Sequence, residues 1–230
     1  MKTRMAMLAV VAATLGFSGI AGAQGVLNIR TFDETYARED FDARPADIPA
    51  LACEMGFTTP TMARRGVACG IAYEKAVAEK RYEDAMRYAA KGCARDRSIE
   101  SCRNAGGLPL WMGNQDIAVP ASFRGELRRV ADAVCFSRMR LKTMNGKDVT
   151  ARECSNLARR FTMAKDPEYV VAMRPEARRF FESIHEPAIA ASLHLAACQR
   201  LGAAASCNQA IGLRPELERL ARANGVRPGQ

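Results

Sequence analysis

Eight cysteines, Cys53, Cys69, Cys93, Cys102, Cys135, Cys154, Cys198 and Cys207, constrain this 230-residue chain more than any other feature. An even number of thiols has two structural uses, pairing as disulfides or ligating a metal, and the choice turns on whether the compartment is oxidising. The N-terminus addresses that question. Lys2 and Arg4 precede an apolar run from Met5 to Phe17, and small residues follow through Ala21-Gly22-Ala23. This is the pattern of a secretory signal peptide, residues 1–23, with cleavage expected between Ala23 and Gln24. The run is too short to span a bilayer as a mature helix. The first cysteine is Cys53, far from the cleavage point, so no lipid or other membrane anchor is expected. A periplasmic or secreted location follows, and with it disulfides.

Zinc is the alternative use. No two cysteines have the two-to-four-residue gap of common structural zinc sites, and the only histidines are His185 and His194. No metal and no other cofactor is expected.

Removing residues 1–23 leaves 207 residues and lowers the formal charge from +9 to +7, because the segment contains two basic residues and no acid. A basic exported protein suits anionic headgroups or acidic cell-wall polymers better than nucleic acid, so no nucleic-acid partner is expected. The arginines come as scattered pairs, Arg64-Arg65, Arg128-Arg129, Arg159-Arg160 and Arg178-Arg179, without interleaved aromatics. Solvated helix faces are the default reading of such pairs. Arg128, Arg129, Arg159 and Arg160 are nevertheless retained as candidate binding residues.

Residues 24–47 are charge-rich and lack an apolar period, which predicts a flexible leader. Residues 48–224 are rich in Ala, Leu, Met, Arg and Glu, with little strand-like alternation, which predicts an α-helical domain; residues 225–230 form a tail. Thr59 to Cys93 is the clearest stretch. Thr59 can cap a helix and Pro60 suits its first position, while Ala68, Ala72 and Ala76 recur every fourth residue. After a break near Lys80-Arg81, a second helix runs through Ala85, Met86, Ala89 and Ala90 to Cys93, giving a helical hairpin.

Aligning the chain on its cysteines as sequential neighbours exposes a repeat. The positions five before each first cysteine are Ile48, Tyr88, Val130 and Leu193, all apolar or aromatic, and Cys93/Cys102 and Cys198/Cys207 both enclose eight residues. The other two pairs enclose 15 and 18. In this frame each bridge clips the connector between one hairpin and the next. Each would contribute roughly 2.5 to 3 kcal/mol by loop closure. Eight cysteines admit about a hundred pairings, and spacing alone does not single one out.

The segments Cys93 to Cys102 and Cys198 to Cys207, each preceded by an Ala-rich helix, resemble the Sel1-like repeats of the cysteine-rich Helicobacter proteins, which are related to tetratricopeptide repeats. The resemblance covers roughly Ala50 to Leu213. It implies an all-α, disulfide-clipped helical-hairpin repeat solenoid with a surface that binds an exported protein or a peptidoglycan fragment. Some relatives carry a label as β-lactamase-like or penicillin-binding proteins. The chain also departs from the family: only Gly106 falls at the expected glycine position, where Tyr73, Ala158 and Ile211 stand elsewhere, and the segments Leu108 to Pro120 and Lys165 to Pro175 read as insertions.

No serine has a lysine three residues on, and Lys142-Thr143 continues with Met144, so the motifs of serine β-lactam enzymes are absent. His185-Glu186-Pro187-Ala188 lacks the second histidine of a metalloprotease helix, and His185 reads as a helix end. His194, one turn before Cys198, reads as a packed neutral imidazole. No catalytic residue is assigned. Leu108-Pro109-Leu110-Trp111-Met112 reads as an apolar loop in which Trp111 is either a binding anchor or a plug between hairpins. A binding scaffold is therefore expected, ahead of a β-lactam or cell-wall amide hydrolase and of an inhibitor or immunity protein.

Overall fold

A computed structural model of the protein describes residues 47–55, 67–223 and Gly225. The signal segment, the leader as far as Ala46, the Thr59-Pro60 cap and the rest of the tail lie outside these residues. The described chain forms α1 (Asp47–Met55), α2 (Val67–Ala78), α3 (Tyr82–Ala94), α4 (Ile99–Asn114), α5 (Phe123–Phe136), α6 (Thr150–Arg160), α7 (Pro167–Ala172), α8 (Pro175–Ser183), α9 (Pro187–Leu201), α10 (Ala204–Gly212) and α11 (Arg214–Ala223). Among the described residues extended pairing is limited to one isolated bridge between Lys142 and Asp148. The helical expectation holds, with α1 beginning at Asp47.

The cysteines pair as neighbours. Cys53–Cys69 joins α1 to α2, Cys93–Cys102 joins α3 to α4, Cys135–Cys154 joins α5 to α6, and Cys198–Cys207 joins α9 to α10, with Cα–Cα separations of 4.7, 4.6, 5.2 and 4.9 Å. In every case the first cysteine lies in the last turns of one helix and the second in the opening turns of the next. The bridges thus fix where one helix ends against where its successor begins.

Apolar periodicity explains the packing. In α5, Phe123, Leu127, Val130, Ala131, Val134 and Cys135 form one buried face. In α3, Ala85, Met86, Ala89, Ala90 and Cys93 do the same, while Glu83 and Asp84 sit in the first turn where the helix dipole favours acids. Gly92 is required where α3 meets its neighbours, because an added Cβ would lie 2.4 Å from Ser101 Oγ and 2.9 Å from Cys69 Cβ. Successive helices pack α1 on α2, α2 on α3 and α3 on α4; further on, α6 packs on α9 and α9 on α10. Pro167, Pro175 and Pro187 each begin a helix, the position where a missing N–H costs nothing.

One expectation needs correction. The segment Leu108 to Asn114 is not a loop: α4, capped by Ser98 Oγ accepting from Ser101 N, continues through Pro109 to Asn114. An interior proline removes one helical hydrogen bond, at a cost of about 3 kcal/mol. Burial of Leu108, Pro109 and Met112 on the core side offsets that cost. The region from Lys165 to Pro175, which reads as an insertion in the repeat, has helical structure of its own. It forms α7 and leads into α8, which packs against the second half of α4. The approach is close: a Cβ on Gly113 would lie 2.3 Å from the backbone of Ala177. The pair α7–α8 is therefore inserted between α6 and its packing partner α9.

Candidate functional site

Helix α6 organises the polar surface. Its buried face carries Cys154, Leu157 and Ala158 against the core, so Arg152, Asn156 and Arg159 fall on the outward stripe at helical spacing. To one side, between α4 and α6, lies a cleft of about 220 Å³ lined by Arg103, Gly106, Glu153, Asn156, Arg159, Arg160, Met163 and Tyr169. To the other side, between α6 and α10, lies a cleft of about 420 Å³ lined by Arg152, Ser155, Asn156, Arg159, His194, Ser206 and Gln209. Asn156 and Arg159 line both, so the two clefts flank the outward stripe of α6 and together make up a grooved surface.

The groove is basic. Four arginines face it, Arg103, Arg152, Arg159 and Arg160, against one carboxylate, Glu153. Arg103 Nη2 and Arg152 Nη2 both donate to Glu153 Oε1, at 2.7 and 3.1 Å. Burial works against ionisation of Glu153, but the hydrogen bonds and charge of Arg103, helped by Arg152 and Asn156, hold its carboxyl below the usual range. Its charge is thereby already used within the groove. Arg159 donates to Tyr169 Oη at 3.2 Å and lies 5.7 Å from that ring's centroid. Arg160 is half-buried and donates to Met163 Sδ at 3.4 Å, and it has no carboxylate partner among the described residues. Burial, together with the neighbouring Arg159, lowers its pKa from the free value.

Beneath the larger cleft, His194 Nδ1 lies 3.1 Å from Ser206 Oγ, which in turn contacts Ser155 Oγ. Ser155 also donates to Ala151 O at 2.9 Å. Burial, then the charge of Arg159, pushes the His194 imidazole down to about 4. His194 and Ser206 are 3% and 1% exposed. The cluster links α6, α9 and α10 as a buried polar clamp.

Of the candidate residues, Arg159 and Arg160 line the groove. Arg128 and Arg129 lie on α5, where Arg128 pairs with Asp132 at 2.8 Å and Arg129 with Glu126 at 3.1 Å. Trp111 is 43% exposed on the outward stripe of α4, two turns beyond Arg103, with its ring 6.1 Å from that of Tyr82. His185 follows α8, and its Nδ1 contacts Phe161 O at 3.1 Å. Arg103, Asn156 and Tyr169 were not anticipated, since their role depends on which helices meet. A sequence signal does sort the three arginine pairs that lie within the described residues. Arg128, Arg129, Arg178 and Arg179 each have an acid three or four residues away on their own helix, whereas the corresponding positions around Arg159 and Arg160 carry none.

These features define a four-disulfide protein, mostly helical among the described residues, with a basic groove. No family model matches the chain, and no curated protein or solved structure is significantly similar to it. No described helix is long and apolar enough to cross a membrane, and four disulfides are the usage of an oxidising environment.

Proposed function

We propose that this chain is an exported Sel1-like helical-hairpin repeat protein, periplasmic or secreted, that acts as a binding scaffold in the bacterial envelope. The observation that carries the reading is the pair of adjoining clefts on either side of α6, against α4 and α10, whose four arginines face one carboxylate already engaged. Helices disposed side by side offer a long rigid surface that needs little ordering when a segment docks. The occupant is a segment of another exported protein, with a peptidoglycan fragment as the other polymer the surface suits. The test is site-specific photocrosslinking in cells that export the chain, with the crosslinker at Asn156 in the groove or at Arg129 on α5. Discrete adducts from Asn156 alone are expected. Adduct patterns that are the same from both positions would overturn the reading.

A hydrolase acting on a β-lactam or cell-wall amide is the second reading, and the contact of Ser206 Oγ with His194 is what favours it. A serine nucleophile needs a base of suitable strength and an access path. His194 at about 4 is a weak base, no carboxylate among the described residues bonds to its ring, and Ser206 is buried. Turnover of a chromogenic cephalosporin that is lost in Ser206→Ala would reinstate it.

A further inference from the structure

Resting on the groove as a binding surface, a sharper assignment concerns the smaller cleft. Arg160 is the unusual group. An arginine withdrawn from water ordinarily meets a carboxylate, because a guanidinium loses hydration that only charge-assisted bonds restore. Arg160 instead has the Met163 thioether, a weak acceptor that occupies one of its five N–H donors. Arg159 stands at the same opening with a neutral phenol as its partner. Gly106 keeps the wall of α4 low, since a Cβ there would sit 3.9 Å from Arg160 Nε. At about 220 Å³ the cleft falls below the roughly 300–1,000 Å³ that encloses a drug-sized molecule. One acidic side chain fits the space, and the adjoining 420 Å³ cleft, lined by Asn156 and Gln209 among others, lies where the rest of an extended chain would run.

We propose that the α4–α6 cleft is a carboxylate-binding subsite, in which Arg160 and Arg159 hold the acidic side chain of a peptide lying across α6. A concave cleft with the half-buried Arg160 at its side favours a single projecting carboxylate over a flat anionic membrane.

The experiment is calorimetric titration of the full, oxidised chain with N-acetylated, C-amidated deca-glutamate and, separately, deca-glutamine. Deca-glutamate is expected to bind at least tenfold more tightly. Arg160→Gln and Arg159→Gln, with all four disulfides verified intact, should each weaken deca-glutamate at least tenfold, while Arg129→Gln on α5 changes it less than twofold. Deca-glutamine with a free C-terminus separates two sources of the carboxylate: binding equal to deca-glutamate would overturn the side-chain assignment in favour of the chain terminus. Equal affinity for the two capped peptides, no binding at millimolar peptide, or equal losses from Arg129→Gln and Arg160→Gln would overturn the subsite. Crosslinked adducts from Asn156 alongside unchanged deca-glutamate affinity in both arginine variants would leave the groove reading standing and remove the subsite alone.

Discussion

Two glycines on α4 should respond in opposite directions to the same substitution. Gly107 and Gly113 are both helical, so replacing either by alanine removes backbone freedom from the unfolded chain, a gain of about 0.5–1 kcal/mol for an interior position. At Gly107 nothing lies within 4 Å of the new Cβ. Gly107→Ala should therefore stabilise by about that amount. At Gly113 the new Cβ would lie 2.3 Å from both N and Cα of Ala177 and 2.5 Å from its Cβ. Ordinary contact begins near 3.5 Å, so α8 must retreat by about 1 Å along its whole contact with α4. Overpacking of this kind costs about 1–3 kcal/mol, and the obstacle is backbone rather than a side chain that can turn away, which places the value at the upper end. After the propensity gain, a net loss of about 2 kcal/mol remains. Urea denaturation of the oxidised protein reads both, as shifts in midpoint at constant slope. A Gly113→Ala protein at least as stable as wild type would refute the close approach of α8 and with it the placement of α7 beside the groove.

The remaining predictions concern the bridges and the buried groups. Replacing Cys93 and Cys102 together by alanine should cost about 2–3 kcal/mol, read by the same urea midpoint; a loss under about 0.5 kcal/mol would show that the connector is held by packing alone. His194 is neutral in the native state down to about 4 and titrates near 6.5 when unfolded, so between these values the unfolded chain binds the extra proton. Stability should fall as pH drops from about 6.5 to 4, by at most about 3 kcal/mol, and His194→Gln should flatten that slope relative to wild type; identical slopes would refute it. Glu153, held below the normal carboxylate range, contributes stability that is present above the unfolded value and lost as pH falls further. Glu153→Gln should accordingly remove part of the acid limb of the stability profile, and an unchanged limb would place the charge elsewhere.

Spacing did not single out the partner of each cysteine; neighbour pairing was only the frame in which a repeat appeared, and it is the one the fold adopts. The helical class was readable because it is local: apolar spacing declares a helix. Pro109 was misread for the same reason. A proline is a local helix breaker, and only the burial of Leu108 and Met112 reveals why this helix continues. The packing of α8 on α4 is non-local, and its one sequence trace is Gly113, a small residue whose purpose appears only beside Ala177. Among the arginines, type and pairing did not distinguish the groove residues; the missing acids around Arg159 and Arg160 narrowed the choice only to them and to Arg64-Arg65, which lack such acids too. The groove-facing role of Arg103, fifty residues before Glu153, had no such local trace.

The bridges and the groove are connected by position along the helices. Cys102 lies on α4 beside Arg103, Cys154 on α6 beside Glu153, and Cys207 on α10 beside Ser206. Each groove helix is thus tied, within its opening turns, to the helix that precedes it, and the tie is adjacent to a groove residue. A surface formed by several helices loses affinity when those helices shift, because each added degree of freedom must be frozen on binding. The disulfides limit that freedom without occupying the surface, and the buried contacts among Ser155, Ser206 and His194 add a second tie between α6 and α10. Binding is therefore expected to fall before folding does on partial reduction. Selective loss of Cys198–Cys207 frees α10, which packs chiefly on α9 and to a lesser extent on α11, so the 420 Å³ cleft should open while the α4–α6 cleft keeps its shape. Paired replacement of Cys198 and Cys207 by alanine should weaken long ligands spanning both clefts while sparing a short acidic peptide confined to the first. Equal losses for long and short peptides would refute this division of the groove.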